Sequence, residues 1–429
     1  MLNMEKTNRT YTTEIKEGES VTLKGWVHEI RDLAKLKFVL LRDASGIVQC
    51  VIIEEKMFRE FSRLKLESII EIKGKVKKAG VKAEFARKDV EVEVKSIKII
   101  NLAEELPIQV NEKTITTQLP LRLDYRYIDL RKPKIAAIFK IQSEIAHSFR
   151  EFFYAKKFVE IQTPCIISAA SEGGTELFPV QYFEKKAYLA QSPQLYKQML
   201  ACSMEKVFTI TPVWRAEKHN TSRHINEIRQ MDIEVAFTDQ MSIMKYLEEV
   251  VQYIVKALTQ KCNQELELLN VKLKVPKAVY LHYEEAVRKV GGKFGEDFTA
   301  EEEKELCEIY PDSIVFTHSW PSSIKPFYIM PKNEEIGSKE SCGFDALYGG
   351  MEISSGGQRI HLPEVLIASI KSKGLNPKSF ESYINSFRFG SPPHSGWSIG
   401  LERLTLVLCK LDNIKEATMF PRDRDRLTP

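Results

Sequence analysis

Paired cysteines are missing from this chain. Its seven cysteines are odd in number and none stands in a Cys-x-x-Cys pair. That argues against a disulfide framework or a zinc site and for reduced thiols in the cytoplasm. The opening MLNMEKTNRT lacks an apolar core, so no signal peptide is expected. No run is long and apolar enough to span a bilayer, and no membrane partner is expected. Net charge is scarce too: 63 lysines and arginines face 59 acidic residues, leaving +4. A nucleic-acid partner is allowed by that balance rather than demanded. What remains is a chain of 429 residues, 43% hydrophobic, long enough for two or three domains with cores of their own.

The densest chemistry lies in 207–237. Val207, Thr209 and Thr211 alternate with Phe208, Ile210 and Pro212, a period of two that predicts a strand. A second such run covers 231–237. Between them stand Arg215, Glu217, Lys218, His219, Asn220, Arg223 and His224. Arginine forks at one end of a hairpin suit a polyphosphate, because each guanidinium offers two parallel charge-assisted hydrogen bonds. A solvated hairpin tip has the same composition, and on these residues alone the two readings weigh evenly.

Residues 18–102 read as a small all-β unit, with candidate strands at 21–31, 38–42, 47–53, 69–78 and 90–100. A short helix, 55–64, falls after the third. Five strands in that order match an OB-fold, which binds single-stranded nucleic acid or sugars on its second and third strands. Phe38 and Gln49 lie on those two strands, where a phenyl ring can stack on a base and an amide can read its edge. On the residues alone, Phe38 in the core and Gln49 in solvent is the favoured alternative.

Residues 103–134 hold Pro107, Pro120 and Pro133 and no sustained period, as a linker does. Ile138, Ile141, Ile145, Phe149 and Phe152 then recur at helical spacing and lead into Val159-Glu160-Ile161-Gln162-Thr163-Pro164. Two glycines in 171–176 predict a mobile loop. Gln194 and Lys197, three apart, share a helical face. Helices are expected at 241–258, 281–290 and 296–308, with no chemistry in 240–330, and a strand at 327–331. Glu352 and Ser355 offer a carboxylate and a hydroxyl three apart, which suits magnesium; a turn with a stray glutamate is the plain alternative. Residues 396–400 then open the last helix.

Taken together, these stretches resemble the class II aminoacyl-tRNA synthetases, and most closely the archaeal-type aspartyl-tRNA synthetase family. Arg215-Ala216-Glu217, His219-Asn220-Thr221 and Arg223-His224 look like motif 2, the helix from 135 with Pro164 like motif 1, and Gly400-Leu401-Glu402-Arg403 like motif 3. The likeness covers nearly the whole chain. It implies an α+β protein: an OB-fold anticodon-binding domain at 1–102, a linker at 103–134, and a class II catalytic domain at 135–429 with an antiparallel sheet flanked by helices.

The same likeness implies the chemistry. Aspartate and ATP would form aspartyl-adenylate with magnesium, and tRNA would take the aspartyl group, on a cytoplasmic homodimer. Arg215, Glu352 and Arg403 match catalytic positions. Glu172 and Asp232 would meet the substrate ammonium; Gln194, Lys197, Ser355 and Arg359 would complete the aspartate site. Glu217, Arg223, His224, Ile225 and Gly400 match ATP positions. Glu352 and Ser355 would hold magnesium, with Asp345 assisting. Trp397 and Ser398 depart from the family's smaller residues, which puts the packing near adenine in doubt.

Phe38 and Gln49 match anticodon-contacting positions. Family members that accept both tRNA(Asp) and tRNA(Asn) tend to carry a histidine where His28 stands, which extends the expected partners to tRNA(Asn); an ordinary surface histidine is the alternative. A second discriminating position falls near 78–85, where this chain differs in length. A strict aspartyl-tRNA synthetase, an asparaginyl-tRNA synthetase, a tRNA-independent paralogue and an RNA-binding descendant remain as rivals. Lys197 disfavours the second, because asparaginyl relatives usually carry an acidic residue there.

Overall fold

The structure, a computed structural model, describes residues 9–33, 36–112, 114–168 and 177–429. Two compact units divide the chain, Met1–Ile135 and Ala136–Thr428. Among the described residues no helix is long and apolar enough to cross a membrane.

The first unit is built on a closed five-stranded barrel of Ser20–Leu33, Leu36–Arg42, Ile47–Ile52, Ile69–Lys78 and Ala86–Asn101. Alternation explains its closure. Ile72 and Val76 point inward while Lys73, Lys75 and Lys77 point to solvent, as a period of two requires. The short helix after the third strand is Phe58–Phe61. Phe38 pairs with Val51 and Leu40 with Gln49, so Phe38 and Gln49 share the outer face. Both are half-buried, and Gln49 donates to Glu91 at 2.8 Å. On the same face Val81 and Ala83 pack over Leu40.

His28 is not the surface histidine that the sequence left open. It is 4% exposed, and Arg42 donates to its Nδ1 at 3.1 Å while gripping Glu67 through two bonds of 2.7 Å. Burial, and then the Arg42 charge, pulls His28 down to about 4, so its ring is neutral at physiological pH. Its remaining edge lines a small pocket with Arg31, Lys82, Phe85 and Asn111. The stretch 103–134 is more than a linker. It carries the short helices Leu119–Asp124 and Arg126–Asp129, and buried Asp129 accepts from Arg122 at 3.1 Å and Arg126 at 2.7 Å.

The second unit holds an eight-stranded sheet in the order Lys277–His282, Ser313–His318, Gly343–Tyr348, Met351–Gln358, His394–Gly400, Glu227–Ala236, Lys206–Trp214, Val159–Glu160. The middle six strands are antiparallel, as expected; the outermost pairing at each edge is parallel. At one edge helices Tyr283–Val290 and Ala300–Ile309 lie between the paired strands in sequence, and such a crossover returns a strand in the same direction. Both strands of that edge fall in 240–326, where only helices were anticipated. Residues 327–331 make isolated bridges to Arg359 and Ser341 rather than a strand.

One face of the sheet is covered by apolar helices. Helix Gln240–Lys261 is N-capped by Asp239, which accepts from the Ser242 amide at 2.7 Å. It buries Ile243, Leu247, Val250 and Ile254. Trp397 lies on this face: its indole donates to the Ile243 carbonyl at 3.0 Å and its ring meets Phe149 and Phe153. The other face carries helix Gln194–Met204 and the site.

Candidate active site

One register row crosses four strands of the sheet. Asp232 pairs with Ser398, Ser398 with Ser355, and Ser355 with Asp345. Directly paired residues share a face, so four polar side chains line up on the floor of a cleft. At one end the Lys197 ammonium reaches Asp232 at 2.8 Å, the Trp397 carbonyl at 3.1 Å and Glu234 at 3.5 Å. Ser398 donates to the second oxygen of Asp232 at 3.1 Å. At the other end Lys325 pairs with Asp345 and sits 3.8 Å above the Trp320 ring. Burial raises both carboxyls against the pull of their lysines, Asp345 to about 6.

Glu234 lies one step along, against Gly396. A Cβ there would stand 2.1 Å from a Glu234 oxygen, so the glycine makes room for the carboxylate. Arg359 grips that carboxylate through Nε at 2.9 Å and Nη2 at 3.4 Å. Burial works against the Arg359 charge, and Glu234 more than restores it, leaving its pKa raised.

The rim is assembled differently. Leu347 pairs with Glu352 while Ala346 pairs with Ser354, so Ile353 is an extra residue in its strand. Residues three apart on a regular strand face opposite ways; this bulge turns Glu352 to the same face as Ser355. Arg403 donates to the Glu352 carbonyl at 3.0 Å and carboxylate at 3.3 Å. Arg223 meets Glu303 at 3.1 Å and the Gly350 carbonyl at 3.3 Å. Burial, and then Glu352, pushes Glu303 up to about 7.

The loop between the hairpin strands is fastened from within and from afar. The Asn226 side chain donates to the carbonyls of Arg215 at 2.7 Å and Glu217 at 2.9 Å. Thr221 and His224 are 2.7 Å apart, and burial lowers the His224 pKa. From downstream, Asp425 accepts from Asn220, Arg422 accepts at its carbonyl from the Asn226 amide at 2.7 Å, and Ile414 donates to Ser222 at 2.8 Å.

These parts enclose a cavity of about 270 Å³. Gln194, Arg215, Glu217, Arg223, His224, Ile225, Asp232, Glu352, Ser355, Arg359, Gly400 and Arg403 all line it. Glu172 falls outside the described residues. Lys197 is 1% exposed and lies beneath the floor. Asp232, expected beside the substrate ammonium, lines the cavity and also meets Lys197 and Ser398. Trp397 points away from the cavity, so its bulk does not touch the ligand space.

Sequence reasoning missed Glu234, Lys325, Glu303 and Glu402. Glu402 accepts the Arg229 amide at 3.1 and 3.0 Å, where strand His394–Gly400 has already turned into helix Leu401–Cys409. Burial pushes it to about 7. The acidic run around Glu303 reads as a solvated surface, and nothing in its spacing points inward. Glu234 was within reach: two residues from Asp232 on one strand, it had to share that face.

Residues 118–424 match the model of class II tRNA synthetases (D, K and N), and 21–100 match the OB-fold nucleic acid binding domain. The chain belongs to the class II aminoacyl-tRNA synthetases. It is 44% identical to the aspartate–tRNA(Asp/Asn) ligase of Methanothermobacter thermautotrophicus over 96% of each chain. It is equally similar to that of Archaeoglobus fulgidus, over 98% of this chain and 100% of the other. Among solved structures, the synthetase resembles asparaginyl-tRNA synthetase from Pyrococcus horikoshii in complex with asparaginyl-adenylate. The TM-score is 0.90 at 34% identity, covering 99% of this chain and 100% of that one. Aspartyl-tRNA synthetase from Entamoeba histolytica is similar too, with a TM-score of 0.88 at 33% identity, covering 99% and 94%.

Proposed function

We infer that this synthetase is an aspartate–tRNA ligase that serves both tRNA(Asp) and tRNA(Asn). The observation that carries the choice of amino acid is the pair of buried cations, Arg359 in the cavity lining and Lys197 just beneath its floor. An ammonium has three protons to give. Its contact with Glu234, the loosest of three, is the one a substrate carboxylate would take over, with Arg359 as second donor. Gln194, whose buried amide nitrogen has no partner among the described residues, would face the rest of the amino acid.

Catalysis is then positioning and charge stabilisation at phosphorus. Arg215 bridges the aspartate α-carboxylate and the α-phosphate. Glu217, Arg223, His224, Ile225 and Gly400 hold ATP, and Arg403 takes the far phosphates. The α-carboxylate attacks the α-phosphorus and pyrophosphate leaves; a ribose hydroxyl of the terminal adenosine of tRNA then attacks the aspartyl carbonyl, and AMP leaves. Glu352 and Ser355, turned to one face by the bulge, fit magnesium, a hard ion that takes few protein oxygens and completes its shell with phosphate and water. When bound, the ion neutralises developing phosphate charge.

Residues 1–102 serve as the anticodon-binding domain and 135–429 as the catalytic domain. Phe38 and Gln49 meet the bases on the barrel's outer face. The neutral His28 ring and the loop carrying Lys82 and Phe85 border one pocket, which we assign to the third anticodon base. The names of the archaeal relatives support charging of tRNA(Asn) as well. Val159–Glu160 is the outer strand of its sheet, and exposed Tyr154, Val159 and Ile166 lie in or beside it in sequence; such an edge invites a second copy across a twofold axis. The enzyme works in the cytoplasm.

The test is ATP–pyrophosphate exchange with aspartate and with asparagine. An amide brings no negative charge to Lys197 and Arg359, and its NH2 group meets donors that cannot accept from it, at about 1–3 kcal/mol per unmade hydrogen bond, so asparagine should be activated orders of magnitude more slowly. Equal rates overturn the assignment. The asparaginyl alternative has the similar Pyrococcus fold behind it, and Lys197 against it.

A further inference from the structure

Helix Ala300–Ile309 brings one side chain, Glu303, up behind the rim of the site from a stretch in which the sequence showed no chemistry. Thr299 and Glu302 form a capping box, with bonds of 2.7 and 3.3 Å, which fixes the first turn and so the direction of Glu303. Leu306, one turn later, is fully buried against Val315 and Leu347, which sets the helix against the sheet. Between these two anchors the Glu303 side chain is 17% exposed. It stands behind the cavity wall that Arg223 helps to form.

Arg223 has two anchors, the Glu303 carboxylate at 3.1 Å and the Gly350 carbonyl at 3.3 Å. The turn bearing Gly350 is itself fixed. Gly349 has a φ of +61°, and a Cβ on it would stand 2.5 Å from a Val407 methyl on helix Leu401–Cys409. The same helix supplies Arg403 to Glu352. Arg223, Glu303, Arg403 and Glu352 thus form a cluster of two positive and two negative residues drawn from four separate elements. Without the Glu303 carboxylate, Arg223 retains a single carbonyl, and its long side chain is released to other rotamers.

We propose that Glu303 is a positioning residue for ATP: it holds the Arg223 guanidinium against the rim so that its free edge faces the triphosphate. Order in place before binding lowers the cost of binding. The inference rests on the assignment of Arg223 to ATP, and the test separates the two. R223A, E303Q and the double variant are compared by calorimetry with a non-hydrolysable ATP analogue, and by KM for ATP and aspartate in pyrophosphate exchange.

E303Q should weaken analogue binding and raise the KM for ATP about tenfold, with the aspartate KM within about twofold, and the double variant should be no worse than R223A alone. E303D, which keeps the charge, should recover part of the loss. Multiplicative effects of the two substitutions overturn the proposal, as does equal damage to both KM values. Tighter ATP binding by E303Q would mean that Glu303 masks Arg223 rather than aims it, and overturns it too. If R223A itself leaves ATP binding unchanged, the assignment of Arg223 fails and the inference falls with it; if R223A weakens binding while E303Q does not, the inference alone fails.

Discussion

The two ends of the cavity are held together in different ways. On the floor, Lys197, Asp232, Glu234 and Arg359 are each at most 2% exposed at the side chain, and every charge already has a partner. On the rim, Arg215, Arg223 and Arg403 keep 35%, 32% and 29% of their side chains in contact with solvent, leaning on backbone carbonyls and shared glutamates. Breaking a buried pair costs about 3–5 kcal/mol, whereas an exposed pair contributes about 0–1 kcal/mol. A floor built this way cannot adapt, which suits the selective role we propose for it. A rim built this way can follow a changing charge, which suits the catalytic role we propose for it.

The sharpest way to break this contrast is Lys197→Met. It should abolish aspartate activation and remove about 3–5 kcal/mol of stability, because Asp232 is left buried without its cation. Chemical unfolding and pyrophosphate exchange measure the two effects; unchanged stability would mean that the floor is not held by its charges. Lys197→Arg, which keeps the charge, should unfold closer to wild type.

At the rim the order reverses. Arg215→Ala and Arg403→Ala should each slow adenylate formation about a hundredfold or more while stability shifts by about 1 kcal/mol or less. Single-turnover adenylate formation alongside thermal melts would detect the opposite pattern. Glu352→Ala and chelation of magnesium should stop exchange as well.

Gly396→Ala sharpens the contrast without touching a charge. Crowding Glu234 should cost about 1–3 kcal/mol and raise the KM for aspartate, leaving that for ATP unchanged. A KM for ATP that rises equally would mean that floor and rim move as one.

The smallest effect is expected from His28, which belongs to the other unit. His28→Gln should change the preference between two tRNA transcripts differing only at the third anticodon base by about tenfold, near 1.4 kcal/mol. Adenylate formation should not change. An unaltered ratio would make His28 a bystander of the Arg42–Glu67 pair.

Motif residues were legible because several chemical types recur at fixed spacing around them: the strand period up to Trp214, the cationic loop, and the Gly400–Arg403 turn. The barrel was legible from alternation alone. The edge strands Lys277–His282 and Ser313–His318 were not, since a short strand between helices leaves too few periods to read. Glu352 and Ser355 were paired on spacing that a regular strand would contradict; Ile353 reconciles them, and no single sequence announces a bulge. Glu303 stayed hidden because the reason for it, Arg223, lies 80 residues away. Lys197 was legible as a charge, while its depth depends on Asp232 and the Trp397 carbonyl, which only the folded sheet brings beneath it.

The fastening of the Arg215–Ile225 loop also has a consequence in time. Asn220 and its partner Asp425 are 205 residues apart, and Asn226 and Ser222 likewise wait for Arg422 and Ile414. At about 5–20 residues per second of synthesis, the ribosome makes the loop about 10–40 s before it makes the segment that ties it down. A nascent chain that has just completed helix Leu401–Cys409 therefore carries every motif of a synthetase and a loop still without its downstream ties. The rim that we assign to the nucleotide is finished after the floor, and a stall or a protease cut just beyond Leu411 would release a molecule with a formed floor and an unfastened rim.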